Sequence, residues 1–174
     1  YRVKTLLGTK TELKVGGDSR YDRVIMRAEK ENTKIIRLKK QLRGRKAIIA
    51  GSSWNAGEEI VWAAFRELRS DHEALSLIIA PHEPTPEAIE RNIQKAENSG
   101  LKTILFSDNM DKYCGEEVLI IDQLGILADL YLVGWTAYVG GGFDKGVHSV
   151  LEPAVHALPV CFGPEYHVSH EAGM

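Results

Sequence analysis

Short apolar runs alternate with amphipathic stretches through most of this chain. Residues 46–51 and 75–80 are continuous apolar runs, as expected of strands buried on both faces of a parallel sheet, and each precedes a helical pattern. Shorter runs of the same kind predict four further strands at 102–106, 118–121, 136–139 and 160–162. The alternation predicts an α/β fold with a Rossmann-like, doubly wound parallel sheet.

Start and stop signals predict where the helices lie. After the first strand, Asn55 is the predicted N-cap and Glu58 occupies the capping-box position. The apolar face of that helix is predicted to consist of Val61, Ala64, Phe65 and Leu68. Thr85 and Pro86 are the predicted N-cap and first residue of the next helix, and Gly100 ends it. Two more helices are predicted near residues 126–131 and 149–156.

The first 45 residues do not follow this alternation. Residues 14–23 read as a strand end and a turn, and residues 21–42 as one or two polar, charged helices. We interpret residues 1–45 as a connector from a preceding domain and residues 46–174 as one compact domain. Because the first residue is Tyr1 rather than Met, we expect an upstream portion of the protein.

Composition excludes several classes of protein. The 174 residues are 44% hydrophobic and 26% charged, as in soluble globular domains, and a net charge of -2 does not suggest a nucleic-acid-binding face. No apolar run reaches the roughly 18 residues of a membrane-spanning helix. Cys114 and Cys161 are isolated, without metal-ligand spacing, which favours a reducing, cytoplasmic compartment.

The loops after the predicted strands carry the candidate binding residues, since open α/β sheets bind ligands at the carboxyl ends of their strands. Ser52 and Ser53 follow the first strand, His82 follows the second, and Gly125 closes the segment 122–125. Each has a purely structural alternative: an N-cap for the serines and for Asp122, and a surface or capping residue for His82.

The sharpest candidate is the loop that begins at Gly140-Gly141-Gly142. Glycines let backbone N–H groups approach an anion closely, and a helix start adds a field that favours phosphate. The remaining candidates in this segment are Lys145, His148, Ser149 and Glu152, with Glu152 as the acceptor for a ribose. A flexible turn is the alternative. The spacing matches neither the Rossmann G-x-G-x-x-G nor a P-loop.

The sequence from Gly140-Gly-Gly-Phe-Asp-Lys-Gly-Val-His-Ser-Val-Leu-Glu-Pro-Ala to Leu158-Pro-Val-Cys-Phe-Gly-Pro resembles a signature of the 3-deoxy-D-manno-octulosonic acid (Kdo) transferases. Three other segments agree in order along the chain. Residues 51–59 resemble the family's G-S-T-x-x-x-x-E-E loop, residues 122–127 its D-T-M-G-E-L, and residues 17–22 its G-N/D-T-R/K-F-D.

This resemblance implies the C-terminal, donor-binding domain of a GT-B glycosyltransferase that transfers Kdo from CMP-Kdo to a lipid A precursor. It implies an inverting reaction at the cytoplasmic face of the bacterial inner membrane, without a metal or other cofactor. The catalytic base, the acceptor surface and the membrane anchor would belong to an N-terminal half that this chain lacks, so the chain alone should transfer nothing.

Two positions depart from the family pattern. The family often has P-R-H where this chain has Pro81-His82, so one Arg that would neutralise phosphate is absent, and His148-Ser149 replaces a frequent His-Asn pair. Around the bound donor, we expect the N–H groups of Gly141, Gly142 and Ser149 to stabilise the phosphate, with help from Lys145. A Cβ at Gly141 is expected to clash with the ligand rather than to strain the empty domain.

Three other functions remain open from the sequence. The first is another GT-B enzyme, which would use the same fold with a different nucleotide, and a titration comparing CMP with UDP separates it from a Kdo transferase. The second is a non-catalytic nucleotide-binding module, which an upstream half with an acidic residue on the acceptor side would exclude. The third is a protein-interaction domain, which absence of nucleotide binding would favour.

Overall fold

The computed structural model describes residues 12, 14, 16–42, 44–108, 113, 116–143 and 145–173. These residues form one parallel sheet whose strands are β1 (Lys46–Ser53), β2 (Leu75–Pro81), β3 (Thr103–Leu105), β4 (Val118–Ile120), β5 (Thr136–Val139) and β6 (Val160–Phe162). The helices are α1 (Ser19–Ala28), α2 (Thr33–Gln41), α3 (Asn55–Asp71), α4 (Pro86–Asn98), α5 (Leu127–Leu130) and α6 (Leu151–Ala154), with 3₁₀ turns at Tyr131–Val133 and Glu171–Gly173. Cys114 lies outside the described residues, and Cys161 is a free, exposed thiol.

The strand order is β3-β4-β2-β1-β5-β6, and every pairing is parallel. From β1 the chain builds one side of the sheet through β2 to β4, then returns to add β5 and β6 on the other side. The prediction of a doubly wound parallel sheet is therefore confirmed. The direction of winding reverses between β1 and β5, which is the position where such sheets bind ligands.

Both faces of the sheet are covered, which explains why its strands are continuously apolar. Along β1, Ile48 and Ile49 point into different cores, and Leu77 and Ile78 do the same along β2. One core includes buried residues of α2, and the other includes Trp62 of α3. Alternate residues of each strand thus pack against the helices on opposite faces of the sheet, so neither face of the strand is exposed to solvent and lined by polar residues.

Helix α2 belongs to this packed body although it falls within the predicted connector. Ile35 and Leu38 are fully buried and Leu42 is nearly so, in the same core as Ile49 and Ile78. Packing therefore extends across the proposed boundary at residue 45. The origin of residues 1–45 as a connector from another domain stays a prediction.

The prediction for the start of α4 is confirmed, and that for the start of α3 is wrong. The Thr85 hydroxyl accepts the Ala88 N–H at 3.3 Å ahead of Pro86, and Gly100 turns away at a φ of 65°. In α3 the predicted cap, Asn55, is already the first helical residue. Trp54 holds the cap position and makes no side-chain capping bond.

The buried face of α3 also differs from the prediction. Val61 and Phe65 are buried as expected, but Ala64 and Leu68 are exposed, and fully buried Trp62 takes the central position. Trp62 is held there because its indole Nε1 donates to the Asn92 side chain of α4 at 2.9 Å. The buried face of α3 is thus rotated from the predicted one towards Trp62. Trp62 can be buried because its indole N–H has a hydrogen-bond partner, and hydrophobic periodicity gives no information about such a bond.

Candidate functional site

The loops after β1 and β5 meet where the winding of the sheet reverses. The Gly140 N–H donates to the Gly51 carbonyl at 2.9 Å, and a Cβ added to Gly140 would lie 2.0 Å from the Ser52 carbonyl oxygen. No side chain fits between two backbones at that distance. Gly140 is therefore required by the approach of one loop to the other.

The next two glycines are also required by the protein's own packing. Gly141 has a φ of 94°, and a Cβ there would lie 2.2 Å from the Gly146 carbonyl oxygen. A Cβ on Gly142 would lie 2.7 Å from the Gly163 nitrogen. The expectation that a Cβ at Gly141 would leave the empty domain intact is thus wrong, because the loop folds back onto itself instead of forming an open tip.

Backbone hydrogen bonds close this glycine loop. The Gly140 carbonyl accepts the His148 N–H and the Gly141 carbonyl accepts the Lys145 N–H, both at 3.0 Å. The Gly142 carbonyl accepts the Glu165 N–H at 2.8 Å. The carbonyls are therefore used within the protein, which gives the loop a fixed shape before any ligand binds.

On the facing strand, β1 ends in a bulge at Ser52. The pairing register with β2 shifts between Gly51 and Ser53, and Ser52 has a φ of 48°, a left-handed conformation that non-glycine residues seldom adopt. Ser53 is buried, and its hydroxyl donates to the Glu58 carboxylate at 2.9 Å. The two predicted serines are thus adjacent in sequence but differently placed.

Glu58 is fully buried and acts as the centre of a hydrogen-bonding network instead of a capping box. Its Oε2 accepts from Arg91 at 3.0 and 3.2 Å and from the Asn92 amide at 3.1 Å, while its Oε1 accepts from Ser53. The capping-box prediction is therefore wrong. The carboxylate turns inward because Arg91 supplies a compensating charge, which makes burial of an ionised group tolerable.

Four side chains form a cluster, here called the ring cluster: Trp54, His82, Lys145 and His148. The His82 ring stacks on Trp54 at 4.7 Å and on His148 at 4.4 Å between centroids, and the Trp54 Nε1–H donates to His148 Nε2 at 3.2 Å. Because that bond joins Trp54 and His148 edge to edge, both lie on one face of His82. Lys145 Nζ lies 4.3 Å from the centre of the Trp54 indole, a cation–π distance that brings a positive charge to the cluster.

The surroundings of His148 favour its neutral form. Burial lowers the pKa of His148, and the neighbouring His82 lowers it further. As Nε2 accepts the Trp54 N–H, the ring proton resides on Nδ1, which can donate to an anion. The predicted residues Gly141 and His148 are in contact, since a Cβ on Gly141 would lie 3.0 Å from the imidazole.

A pH dependence of stability follows from this arrangement. The pKa of His148 is lower in the folded protein than in the unfolded chain, where it is about 6.5. As the pH falls below 6.5, the unfolded chain therefore binds a proton more readily than the native state does. The stability that the neutral imidazole contributes above pH 6.5 is lost as the pH falls through the pKa of the folded state. We expect the thermal midpoint to drop between pH 7.5 and 5.5, and to drop by about 1–2 °C less in His148→Asn. Scanning calorimetry measures both slopes, with His72→Asn at the end of α3 as the control. Equal slopes for wild type and His148→Asn would contradict the assignment.

Glu152 borders a different opening, a cleft of about 780 Å³ between α1 and the segments carrying α5 and α6, here called the α1 cleft. Glu152 lines it together with Arg27 and Asp129. The Arg27 guanidinium donates to the Gly125 carbonyl at 2.6 Å and to Asp129 at 3.2 Å, and the Asn32 amide donates to the second Asp129 oxygen at 2.8 Å. These bonds tie α1 to the loop that precedes α5.

Burial and the nearby Asp129 raise the pKa of Glu152, and the positive charge of Arg27 partly opposes this rise. Tyr131 connects this region to the end of β1. Its buried hydroxyl lies against Gly51, where a Cβ would approach it to 2.1 Å. Burial raises the pKa of the phenol, and the negative charge of Glu152 raises it further. Tyr131 thus lies between the end of β1 and Glu152, which lines the α1 cleft.

One predicted feature of this segment is wrong. The helix expected from residue 149 begins at Leu151 and has only four residues, and Ser149 is exposed ahead of it. With four residues, α6 is too short to supply the helix-terminal field expected at Ser149.

The structure therefore divides the predicted site residues into two groups. The first group comprises the ring-cluster residues His82, Lys145 and His148 with the neighbouring Gly140–142, Ser52 and Ser53. In the second group, Glu152 lines the α1 cleft and Gly125 accepts a hydrogen bond from Arg27, which also lines it. Ser149 is exposed ahead of α6 and is placed in neither group. Sequence analysis missed Trp54, Arg27 and Asp129. Trp54 had a signal, as an aromatic residue between a strand and a helix start, but Arg27 had none because its partner lies 102 positions away. Among the described residues, no group of three or more His, Cys, Asp or Glu side chains could hold a metal ion, and no helix is long and apolar enough to cross a membrane.

Comparison with solved structures first defines the class of the fold. The chain is similar to the C-terminal CMP-Kdo binding domain of WaaA from Acinetobacter baumannii, with a TM-score of 0.68 and 23% identity over 87% of this chain and 76% of that one. It is also similar to the α,α-trehalose 6-phosphate synthase of Burkholderia multivorans, with a TM-score of 0.57 and 12% identity over 85% of this chain and 34% of the synthase. The fold is the Rossmann-like domain of a GT-B glycosyltransferase.

Sequence comparison then gives the family. The 3-deoxy-D-manno-octulosonic acid transferase of Aquifex aeolicus is 38% identical over 122 residues, which cover 69% of this chain and 32% of that protein. Together with the structural match, this confirms the resemblance read from the motifs: the chain belongs to the Kdo transferase family. It spans about a third of the length of the curated relatives it matches. No protein-family model matches the chain.

Proposed function

We propose that this chain is the donor-binding domain of a glycosyltransferase that transfers Kdo from CMP-Kdo to a lipid A precursor. The observation that carries the proposal is the meeting of a closed glycine loop, a strained serine bulge and the ring cluster where the sheet reverses its winding. A position of this kind suits a phosphate, because it combines Lys145, histidine N–H groups and loops that hold their shape without ligand. Membership of the Kdo transferase family supports CMP-Kdo as the nucleotide sugar.

The two groups of residues divide the donor between them in this proposal. Lys145, His82 and His148 face the phosphate with the backbone of the glycine loop, and Ser52 faces it from β1. The cytidine lies in the α1 cleft, whose volume of about 780 Å³ falls within the usual range for nucleotide-sized ligands. There Glu152 accepts hydrogen bonds from the ribose hydroxyls.

The reaction proposed for the whole protein is an inverting transfer. As the bond between Kdo and the phosphate breaks, negative charge increases on the departing CMP, and donors fixed in place stabilise it without reorganisation. We propose that this requires no metal or other cofactor. The general base, the lipid A precursor and the contact with the cytoplasmic face of the inner membrane belong to the remaining two thirds of the length that the relatives have.

A thermal-shift titration with CMP and UDP tests the proposed donor. A ligand at 100 times its dissociation constant stabilises the native state by about 2.7 kcal/mol, which raises the midpoint by roughly 5–10 °C in a domain of this size. We expect this shift with CMP, unchanged by EDTA, and little or none with UDP. Stabilisation by UDP alone would indicate another GT-B enzyme, and no shift with any nucleotide would favour an interaction domain.

A further inference from the structure

The bulge at Ser52 is held from three directions, and this makes it the least replaceable part of the strand end. The Ser52 carbonyl lies against Gly140, the Ser53 carbonyl accepts the His82 N–H at 2.9 Å, and the Ser53 hydroxyl bonds to buried Glu58. The three constraints come from the glycine loop, from the loop after β2 and from α3. A left-handed non-glycine residue persists only when its surroundings over-determine it, and strain of this kind concentrates at functional sites.

These contacts do not involve the side-chain hydroxyl of Ser52. Its side chain is half-buried, and its hydroxyl has no hydrogen-bonding partner in the part of the chain that the structure describes. Ser53, next to it, is turned inward and fully engaged. The bulge therefore gives two consecutive serines different roles. The hydroxyl of Ser53 fixes the strand to Glu58, and the hydroxyl of Ser52 remains accessible to a ligand at the strand end.

The anchor is rigid because Glu58 is fixed at both carboxylate oxygens. Arg91 and Asn92 of α4 donate to Oε2, which leaves Oε1 directed at Ser53. Asn92 is in turn fixed by Trp62 and by the Ala88 carbonyl. This network joins the start of α3, the middle of α4 and the end of β1, and nothing in the fold requires that a carboxylate be buried there.

We propose that Glu58 is a positioning residue for the donor: through Ser53 it holds Ser52 in the left-handed conformation that presents the Ser52 hydroxyl to the donor phosphate. This inference rests on the proposed function, because it takes the phosphate of a nucleotide sugar as the ligand at the strand end. Glu58 does not touch the donor. It acts by preventing the bulge from relaxing into regular β-structure, in which Ser52 would turn away.

The test measures CMP affinity by calorimetry at a temperature where every variant is folded. Ser53→Ala removes the link to Glu58 without changing the Glu58–Arg91 pair, and we expect about a tenfold loss of affinity. Ser53→Thr keeps the hydroxyl and should stay within about threefold of wild type. Ile120→Val on β4 is the control, because it removes one methylene from the same buried core and lies outside this hydrogen-bonding network, so it should lower stability while leaving CMP affinity unchanged.

Amide NMR of the ligand-free domain adds a measurement that a purely structural role would not affect selectively. Ser53→Ala should shift the Ser52 and Gly140 resonances, whereas Ile120→Val should shift those of β4 and its neighbouring strands and leave Ser52 in place. If wild type binds CMP and Ser53→Ala binds it equally well, the positioning role is overturned and the proposed function stands. If wild type does not bind CMP, both fail.

Discussion

Replacement of Gly141 by alanine is expected to destabilise the empty domain by about 2–5 kcal/mol, which lowers its thermal midpoint by roughly 5–20 °C. Two costs add at this residue. Its φ of 94° is unfavourable for an L side chain, and the new methyl group would lie 2.2 Å from the Gly146 carbonyl oxygen. Since that oxygen belongs to the backbone, it cannot move aside without opening the loop. Calorimetry of the protein without ligand measures the effect.

Gly125→Ala is the matched control for this variant. Gly125 has a similar φ of 89°, but a Cβ there would meet no atom within 4 Å, so only the conformational cost of about 1 kcal/mol remains. The difference between the two variants isolates the cost of closing the loop on itself. Equal midpoints for both variants would mean that the glycine loop is open, and that ligand contact explains its composition.

Replacement of Glu152 by glutamine is expected to weaken CMP binding by about tenfold or more, because charge-assisted hydrogen bonds to hydroxyl groups contribute about 1.5–3 kcal/mol. The carboxylate lines the α1 cleft with Arg27 and Asp129, and glutamine keeps its shape while losing its charge. Titration calorimetry with CMP measures the loss. Glu73→Gln, at an exposed position between α3 and β2, removes an equal charge away from the α1 cleft and should leave the affinity within about twofold.

The same substitution gives a second, independent result in the absence of ligand. The pKa of Glu152 is higher in the folded domain than in the unfolded chain, where it is about 4.3. Above pH 4.3 the carboxyl group therefore ionises more readily in the unfolded chain, which lowers the stability of the native state. This loss grows with pH until the pH passes the pKa of the folded state. Glu152→Gln should therefore melt about 1–3 °C above wild type at pH 7.5 and at the same temperature near pH 4. Unchanged CMP affinity in the variant would remove Glu152 from the donor site even if this pH dependence is found.

Much of the fold was predictable because the sheet is buried on both faces. Apart from Lys46 and Ser76, the runs at 46–51 and 75–80 carry no polar side chain, and the reason is physical, since Ile48 and Ile49 pack into different cores. Parallel strands place their carboxyl ends at one edge, so the fold class predicted that residues 51–53 and 140–142 lie at the same edge of the sheet. It did not predict that β1 and β5 are neighbours, which brings the two loops into contact. The lengths of α5 and α6 did not follow, because four-residue helices contain too little periodicity to be recognised.

The site was predictable as far as its chemistry depends on neighbours in sequence. The three glycines and His148 were found from the pattern, but the reason for the glycines was not, since the Gly146 and Gly163 backbones that exclude a Cβ are visible only after folding. Glu58 is the clearest example. Its spacing from Asn55 satisfies a local rule for capping, whereas its partner Arg91, 33 positions away, supplies the stronger interaction and turns it inward.

Contacts of α1 and α2 were hidden for a related reason. Both helices are rich in charged residues, and their few apolar or pairing positions acquire meaning only against distant elements. Ile35 enters the core beside β1, and Arg27 reaches the loop before α5. A charged helix that buries only two or three of its own residues has the composition of a solvated linker, so composition alone does not distinguish the two.

The three tryptophans of this chain lie in three different surroundings, which gives the protein an internal set of optical probes. Trp54 is stacked on an imidazole at the candidate phosphate position, Trp62 is sealed in the core, and Trp135 is exposed beside Lys46. Emission from an indole depends on the polarity and charge of its neighbours. The spectral component of Trp54 therefore reports events at the strand ends, while that of Trp62 reports global unfolding, so ligand occupancy and loss of structure can be followed in one cuvette without a label.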